Sequence, residues 1–252
     1  SSRGSGPSKQ SGGGDPTLRG MSPGLAAALA AREKLIREND YYEMGTVYDT
    51  EGNIIFNNDK GKNGSVSLGN DFNDRIITHN HPGYDATRSQ GYIKRPDGGG
   101  SLSDADIFTA ARNNAREIRA VTRNYTYTMR RPEKGWGIDS TNHGRVWTGR
   151  KWADNADTKR AKRVYNAVVK QVRAKRDEYY RNYKGDKNVA WRRSQTIIWH
   201  QVNREFAKRM GWDYSKTRIN IHKICKARRI EAAECTKENE RLPWVFVQGV
   251  EK

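Results

Sequence analysis

Cysteine, long apolar runs and acidic residues are all scarce in this chain. Cys225 and Cys235 are the only cysteines among 252 residues, and neither has a partner at zinc-ligand spacing. That excludes a cysteine-ligated zinc finger and a disulfide-dense scaffold. One disulfide or two free thiols stay open; free thiols in a reducing compartment are the expectation. No stretch approaches the roughly 18 apolar residues that a membrane span needs, and no signal peptide is visible. The expected location is therefore cytoplasmic or virion-associated, or that of a delivered effector. Apolar residues make up 34% and mean hydropathy is −1.02, so not every segment can be packed. Residues 1–24, dominated by Ser, Gly, Pro, Lys and Gln, are read as a flexible linker. The chain opens on Ser1-Ser2 rather than Met, which reads as a processed piece or a cut-out of something longer.

Acidic residues number 29 against 47 Lys and Arg, a net charge of +18. The surplus is uneven. Residues 1–39 carry 6 basic and 3 acidic residues, residues 40–150 carry 15 and 14, and residues 151–252 carry 26 and 12. The C-terminal part thus holds +14, more than solubility requires. Such a surface attracts phosphate backbones without sequence preference, or an acidic protein.

Against this background, His79-Asn80-His81-Pro82 and Ser103-Asp104-Ala105-Asp106 stand out. Ile76-Ile77-Thr78 ahead of the histidines reads as a strand. Residues i and i+2 of a strand share a face, so His79 and His81 present two imidazoles side by side. A carboxylate from a neighbouring helix start makes a third ligand and leaves a fourth position for water, the layout of a catalytic zinc. Ser103 with Asp106 also satisfies the pattern of a helix capping box, ahead of a helix expected over residues 105–117. Ser101 with Asp104 is a second Ser-x-x-Asp register; the first is preferred because Ile107 and Phe108 follow it and anchor the helix start. The contiguous His-Asn-His letters are not a sign of an HNH nuclease, whose residues are spread over a hairpin and helix.

These residues resemble the JAB/JAMM (MPN-type) metallopeptidases: an upstream Glu, then His-x-His-Pro, then Ser-x-x-Asp. The His-Asn-His-Pro form is similar to the branch found in RadC-like proteins and in domains of phage head proteins and polymorphic toxins. The resemblance spans roughly residues 40–135. It implies that His79, His81 and Asp106 bind Zn2+, that Glu43 is the general acid/base, and that Ser103 helps hold the oxyanion. Glu51 fits the upstream position less well, because Thr50-Glu51-Gly52-Asn53 reads as a hairpin turn. The implied activity is hydrolysis of a peptide or isopeptide bond in a protein or peptide substrate, in a phage or toxin setting. The alternative is a non-enzymatic phage structural or DNA-binding protein on a JAB-like scaffold. In the family the serine follows the second histidine closely; here residues 82–102 intervene and read as a surface loop.

The pattern around the motif is mixed α/β (α+β): a sheet flanked by helices over residues 25–150, then a basic, mainly helical region over 151–252. Strands are expected at 46–48 and 54–56 as a hairpin, at 66–68 and 76–79, and at 118–122 with 125–129. Residues 157–183 carry Ala161, Tyr165, Val168, Val172 and Tyr179 on one face, with Lys159, Arg163, Lys170, Arg173 and Arg176 over much of the rest. Residues 189–210 carry Trp191, Ile198, Val202, Phe206 and Met210, with Gly211 as the stop. Tyr180, Trp191 and Trp199 have the chemistry to stack on bases, but core packing is the expectation for most of them. His200 and His222 are read as surface or packing residues, and His143 as part of a turn.

Overall fold

The computed structural model describes residues 15–88, 91–95 and 98–219. Residues 1–14, His222, Cys225 and Cys235 lie outside them. Strand β1 (Gly45–Tyr48) turns through Asp49 and Gly52 into β2 (Ile54–Asn58), the hairpin expected there. β3 (Ile76–Asn80) follows, and all five of its residues are buried. After the hairpin of β4 (Tyr84–Thr87) and β5 (Gly91–Lys94) comes helix α2 (Asp104–Arg112). Then come β6 (Glu117–Val121), β7 (Tyr125–Arg130) and a small hairpin, β8 (Arg145–Trp147) with β9 (Trp152–Asp154). Helix α1 (Pro23–Ile36) precedes all of these; α3 (Ala156–Asn182), α4 (Lys187–Met210) and β10 (Asp213–Arg218) close the described chain.

The main sheet runs β10-β7-β6-β3-β1-β2, and only the β3–β6 pair is parallel. Strand alternation divides its two faces. Ile76 and Tyr48 pack under α1 with Leu25 and Leu29. Ile77, Val47, Ile118 and Ala120 face the larger core, with Phe108 of α2, Tyr165 of α3 and Phe206 of α4. This is the expected α+β arrangement of a sheet flanked by helices. Among the described residues no helix is long and apolar enough to cross a membrane.

Five expectations need correction. Residues 66–68 form no strand; they run along a cavity and pair with no sheet edge. The helix predicted to reach residue 117 stops at Arg112, because Asn114 takes a left-handed conformation and the Ala115 N–H bonds back to the Ala110 carbonyl at 2.9 Å, a C-terminal cap that releases the chain into β6. The stretch read as a surface loop contains the β4–β5 hairpin, held by Asn63, whose side chain bonds the backbone of Tyr84 and Ala86. Residues 15–24, assigned to the linker, pack: Asp15 caps a short 3-10 turn at Pro16–Leu18, Thr17 is buried, and α1 begins at Pro23. Finally, the boundary at residue 150 separates no two cores. Val168, Ile198 and Phe206 share one apolar cluster with Ile77 and Ile118, and β10, which no sequence pattern announced, extends the sheet beside β7.

Candidate metal centre

The register of β1 against β3 sets Gly45 opposite His79. A Cβ at Gly45 would stand 2.9 Å from the Thr78 carbonyl oxygen and 3.1 Å from the His79 Cβ. The close approach of the two strands beside the histidine therefore requires glycine. His79 is buried at the end of β3, and His81 follows just past the strand with its Nδ1 2.9 Å from the Gly100 carbonyl oxygen. A carbonyl only accepts, so Nδ1 of His81 carries the proton and its Nε2 lone pair is free. Asn80, between them, is equally buried. Its Nδ2 donates to the carbonyls of Asn39 and Tyr42, and its Oδ1 accepts from the Met44 N–H at 2.6 Å. It thereby fastens the segment that carries Glu43 to the end of the histidine strand.

Asp106 arrives from the first turn of α2. Ser103 caps that helix: its Oγ accepts from the Asp106 N–H at 3.1 Å, and Asp106 Oδ2 accepts from the Ser103 N–H at 2.7 Å. The capping box thus fixes the carboxylate's position, and the helix-cap and metal-ligand readings of this stretch are two uses of one geometry. Asp106 Oδ1 lies 3.3 Å from His79 Nε2, Asp106 Oδ2 lies 3.4 Å from His81 Nε2, and the two Nε2 atoms are 3.0 Å apart. Two bonds of about 2.0–2.2 Å at a tetrahedral angle set ligand atoms about 3.3–3.6 Å apart. The triangle has those dimensions to within a few tenths of an ångström, so His79, His81 and Asp106 form a group that can hold a metal ion.

Electrostatics point the same way. Two imidazole nitrogens that close need a proton or a cation between them. Burial disfavours a charged His79, but the hydrogen-bonded Asp106 carboxylate and Glu43 outweigh it and raise its pKa to about 9. His79 Nδ1 is buried and meets no partner at hydrogen-bond geometry among the described residues, although the Arg119 backbone lies close enough to favour the protonated ring. Burial alone would raise the Asp106 pKa, but His79 and His81 hold it well below the usual carboxylate range. Glu43 is 8% exposed and lines the same cavity. Its pKa is raised by burial, with the histidines pulling against that. A divalent cation that displaced the His79 proton would be balanced by the two carboxylates of Asp106 and Glu43.

The site opens into a cavity of about 720 Å3, whose lining includes Glu43, His79, His81, Ser101, Ser103 and Asp106. All five predicted site residues are therefore brought together. Asp106 stands in the ligand triangle and Asp104 does not, which favours the Ser103–Asp106 register. Ser101 belongs to a buried network in which its Oγ accepts from Asn203 Nδ2 at 3.0 Å and lies 2.8 Å from the Tyr214 hydroxyl. His200 joins Tyr214 at 2.9 Å and is held neutral by burial and nearby cations, its pKa lowered to about 3; it is a packing residue. His143 reaches the cavity rim. Sequence reasoning missed Gly45, Asn80 and the cavity arginines Arg95, Arg112 and Arg145. Of these, only Gly45 had a visible signal, as a glycine at the head of a strand beside the proposed glutamate.

Comparison with family models, with curated proteins and with solved structures finds no match for this chain.

Proposed function

We propose that the protein is a zinc-dependent metallopeptidase or isopeptidase of the JAB/JAMM kind, working in a phage or bacterial toxin/effector setting. The observation that carries the reading is the ligand triangle, with edges of 3.0, 3.3 and 3.4 Å, beside a second buried carboxylate. Two imidazoles and one carboxylate suit zinc, and three protein ligands leave a position open. Bound there, zinc would supply a water acidified toward neutrality and polarisation of the scissile carbonyl.

The chain's own residues supply the rest. Glu43, buried and with its pKa raised, takes one proton of the attacking water as its oxygen bonds to the carbonyl carbon. It delivers that proton to the amide nitrogen as the C–N bond breaks, so the products are a carboxylic acid and an amine. Ser103 Oγ already accepts from the Asp106 N–H, which leaves its own O–H free to donate to the carbonyl oxygen as charge builds there. Zinc content per chain is the test, comparing wild type with His81→Ala and Asp106→Ala. About one zinc in the wild type, lost in both variants, is expected, followed by cleavage in a peptide and isopeptide screen that Glu43→Gln abolishes. Absence of zinc after reconstitution sinks the reading.

A second reading, a phage structural or DNA-binding protein on this scaffold, draws on the exposed Lys159, Arg163, Lys170 and Arg173 along α3. Tyr180, Trp191 and Trp199 already meet Lys187, Arg176 and Arg173 at 5.7, 5.1 and 6.0 Å in cation–π contacts, which leaves backbone charge rather than base stacking to carry it. A steep fall of DNA affinity with salt is its expected signature.

A further inference from the structure

The cavity has a second end. On α2, Asp106, Thr109 and Arg112 follow one another at intervals of three residues and all line it, as one helix face does. Six residues of helix rise about 9 Å, so the cavity runs from the metal ligand to a cationic end at Arg112. His143 and Arg145 close that end.

This end is a built feature. Asn142, His143 and Gly144 take three successive left-handed conformations, with φ of 49°, 58° and 71°. Such conformations cost on the order of 1–3 kcal/mol for non-glycine residues and persist only where the surroundings enforce them. Here α3 does so: the Gly144 carbonyl accepts from the Asn155 N–H and from the Thr158 hydroxyl, both at 2.9 Å. A Cβ at Gly144 would stand 3.0 Å from the Arg112 side chain, so only glycine lets the turn press against that arginine. His143 Nδ1 is bonded to the Asn113 side chain.

Charge at this end is not balanced. Asp154 pairs with Arg112 at 3.2 Å but also with Lys162 at 2.5 Å. Arg112 Nε is buried without a hydrogen-bond partner among the described residues, and exposed Arg145, opposite Asp154 in the β8–β9 register, makes no side-chain hydrogen bond or close ion pair there but shares the charge of Asp154 with Arg112 and Lys162. At the opposite end Arg95 is neutralised by Asp85.

We propose that Arg112 and Arg145, with His143 as the wall between them, bind a carboxylate of the substrate at the end of the cavity about 9 Å along α2 from Asp106. The inference rests on the amidase reading of the metal end. An extended chain advances about 3.3 Å per residue, so the carboxylate sits about three residues from the bond cleaved. It is either the C-terminal carboxylate of a short leaving peptide or an acidic side chain at that distance.

The test is calorimetric binding to the zinc-loaded full chain. The probes are acetyl-trialanine as the free acid, the same peptide as its C-terminal amide, and a C-terminally amidated acetyl-Ala-Ala-Glu. At least one acidic probe should bind about tenfold or more tightly than the trialanine amide, the expectation for a charge-assisted contact; which one does identifies the source. The preference should vanish in Arg145→Ala and invert in Arg145→Glu. Equal binding of all three probes, or binding of none, overturns the proposal. So does a preference that survives Arg145→Glu but disappears in His81→Ala, which would put the carboxylate on the metal. An acid preference retained in His81→Ala, with no peptide cleaved by the zinc-loaded wild type, keeps the subsite and sinks the peptidase reading.

Discussion

β3 and β6 carry a buried polar cluster on each of their two faces, and the two are completed differently. Under α1, the fully buried Arg119 guanidinium spends Nε on Glu33 at 2.6 Å, Nη1 on Glu117 at 2.6 Å and Nη2 on Thr17 at 2.8 Å. Arg37 and Arg130 join Glu33 and Glu117, and Asp15 faces Arg119, so three cations meet three carboxylates. Thr78 adds a hydrogen bond to Glu33 at 2.9 Å. One residue along the same strand, His79 looks the other way, into a group with His81 and Asp106 that can hold a metal ion. A buried network that satisfies itself has nothing left to offer a ligand. One that converges without closing is what metal binding requires, and the sequence distance between Thr78 and His79 is a single residue because strand alternation puts neighbours on opposite faces.

The sharpest way to break this comparison is to damage each face in turn. Arg119→Leu takes from Glu33 and Glu117 the buried cation they share, leaving Arg37 at 3.7 Å and Arg130 at 2.8 Å as their remaining partners, and is expected to cost about 3–5 kcal/mol in chemical denaturation, while the folded fraction still binds zinc. His81→Ala should abolish zinc binding and lower the stability of the zinc-free protein by much less. Equal losses from both would erase the distinction. Zinc itself should then act on one face only. At a hundredfold excess over Kd it should stabilise the wild type by about 2.7 kcal/mol, read as a thermal shift, and leave Asp106→Ala unmoved. A shift in Asp106→Ala as large as in the wild type would place the ion elsewhere.

How far each face could be read from the sequence follows the same division. The grouping of His79, His81 and Asp106 was legible because these residues are few, chemically specific and held by local rules: i, i+2 on a strand, and Ser-x-x-Asp at a helix start. Glu43 was placed by family resemblance alone, and the reason it reaches the site, Asn80 binding residues 39–44 to the strand, is a long-range contact that no local pattern encodes. The Arg119 face was illegible. An arginine within Ile118-Arg119-Ala120-Val121 reads as a solvent-facing position, and its partners Asp15, Thr17 and Glu33 come from segments about a hundred residues earlier. The same holds for α3 and α4. Their apolar stripes were visible, but their charge suggested an outlying region, whereas those stripes complete the main core and leave the cations outside.

Proton competition gives a smaller effect that still separates the faces. With the His79 pKa raised to about 9 from 6.5, its protonated pairing with Asp106 stabilises the zinc-free fold fully below about pH 6.5, and that contribution is lost as pH rises through about 9. Asp106, held low, contributes above its ordinary carboxylate range and loses its share only as pH falls through its lowered value. Zinc must displace the His79 proton, so its affinity should rise by about tenfold per pH unit from pH 6.5 toward 9. Chelator competition at several pH values reads this directly, and a flat profile would show that His79 carries no proton to displace.

The smallest effect concerns Ser103, which like Asp106 belongs to both cap and site. Ser103→Ala removes the acceptor for the Asp106 N–H and should cost about 1 kcal/mol, with some loosening of the Asp106 carboxylate. Ser103→Gly, which an N-cap tolerates at a cost of a few tenths of a kcal/mol and which adds no charge beside Asp106, should bring stability back close to wild type. It does not restore a hydroxyl proton. If Ser103 acts only as a cap, turnover of a cleaved peptide recovers along with stability. If its O–H also holds the carbonyl oxygen, stability recovers while kcat stays down by about a hundredfold. Zinc content measured in both variants separates this loss from a displaced ion, since a cap that still seats Asp106 should still seat the metal.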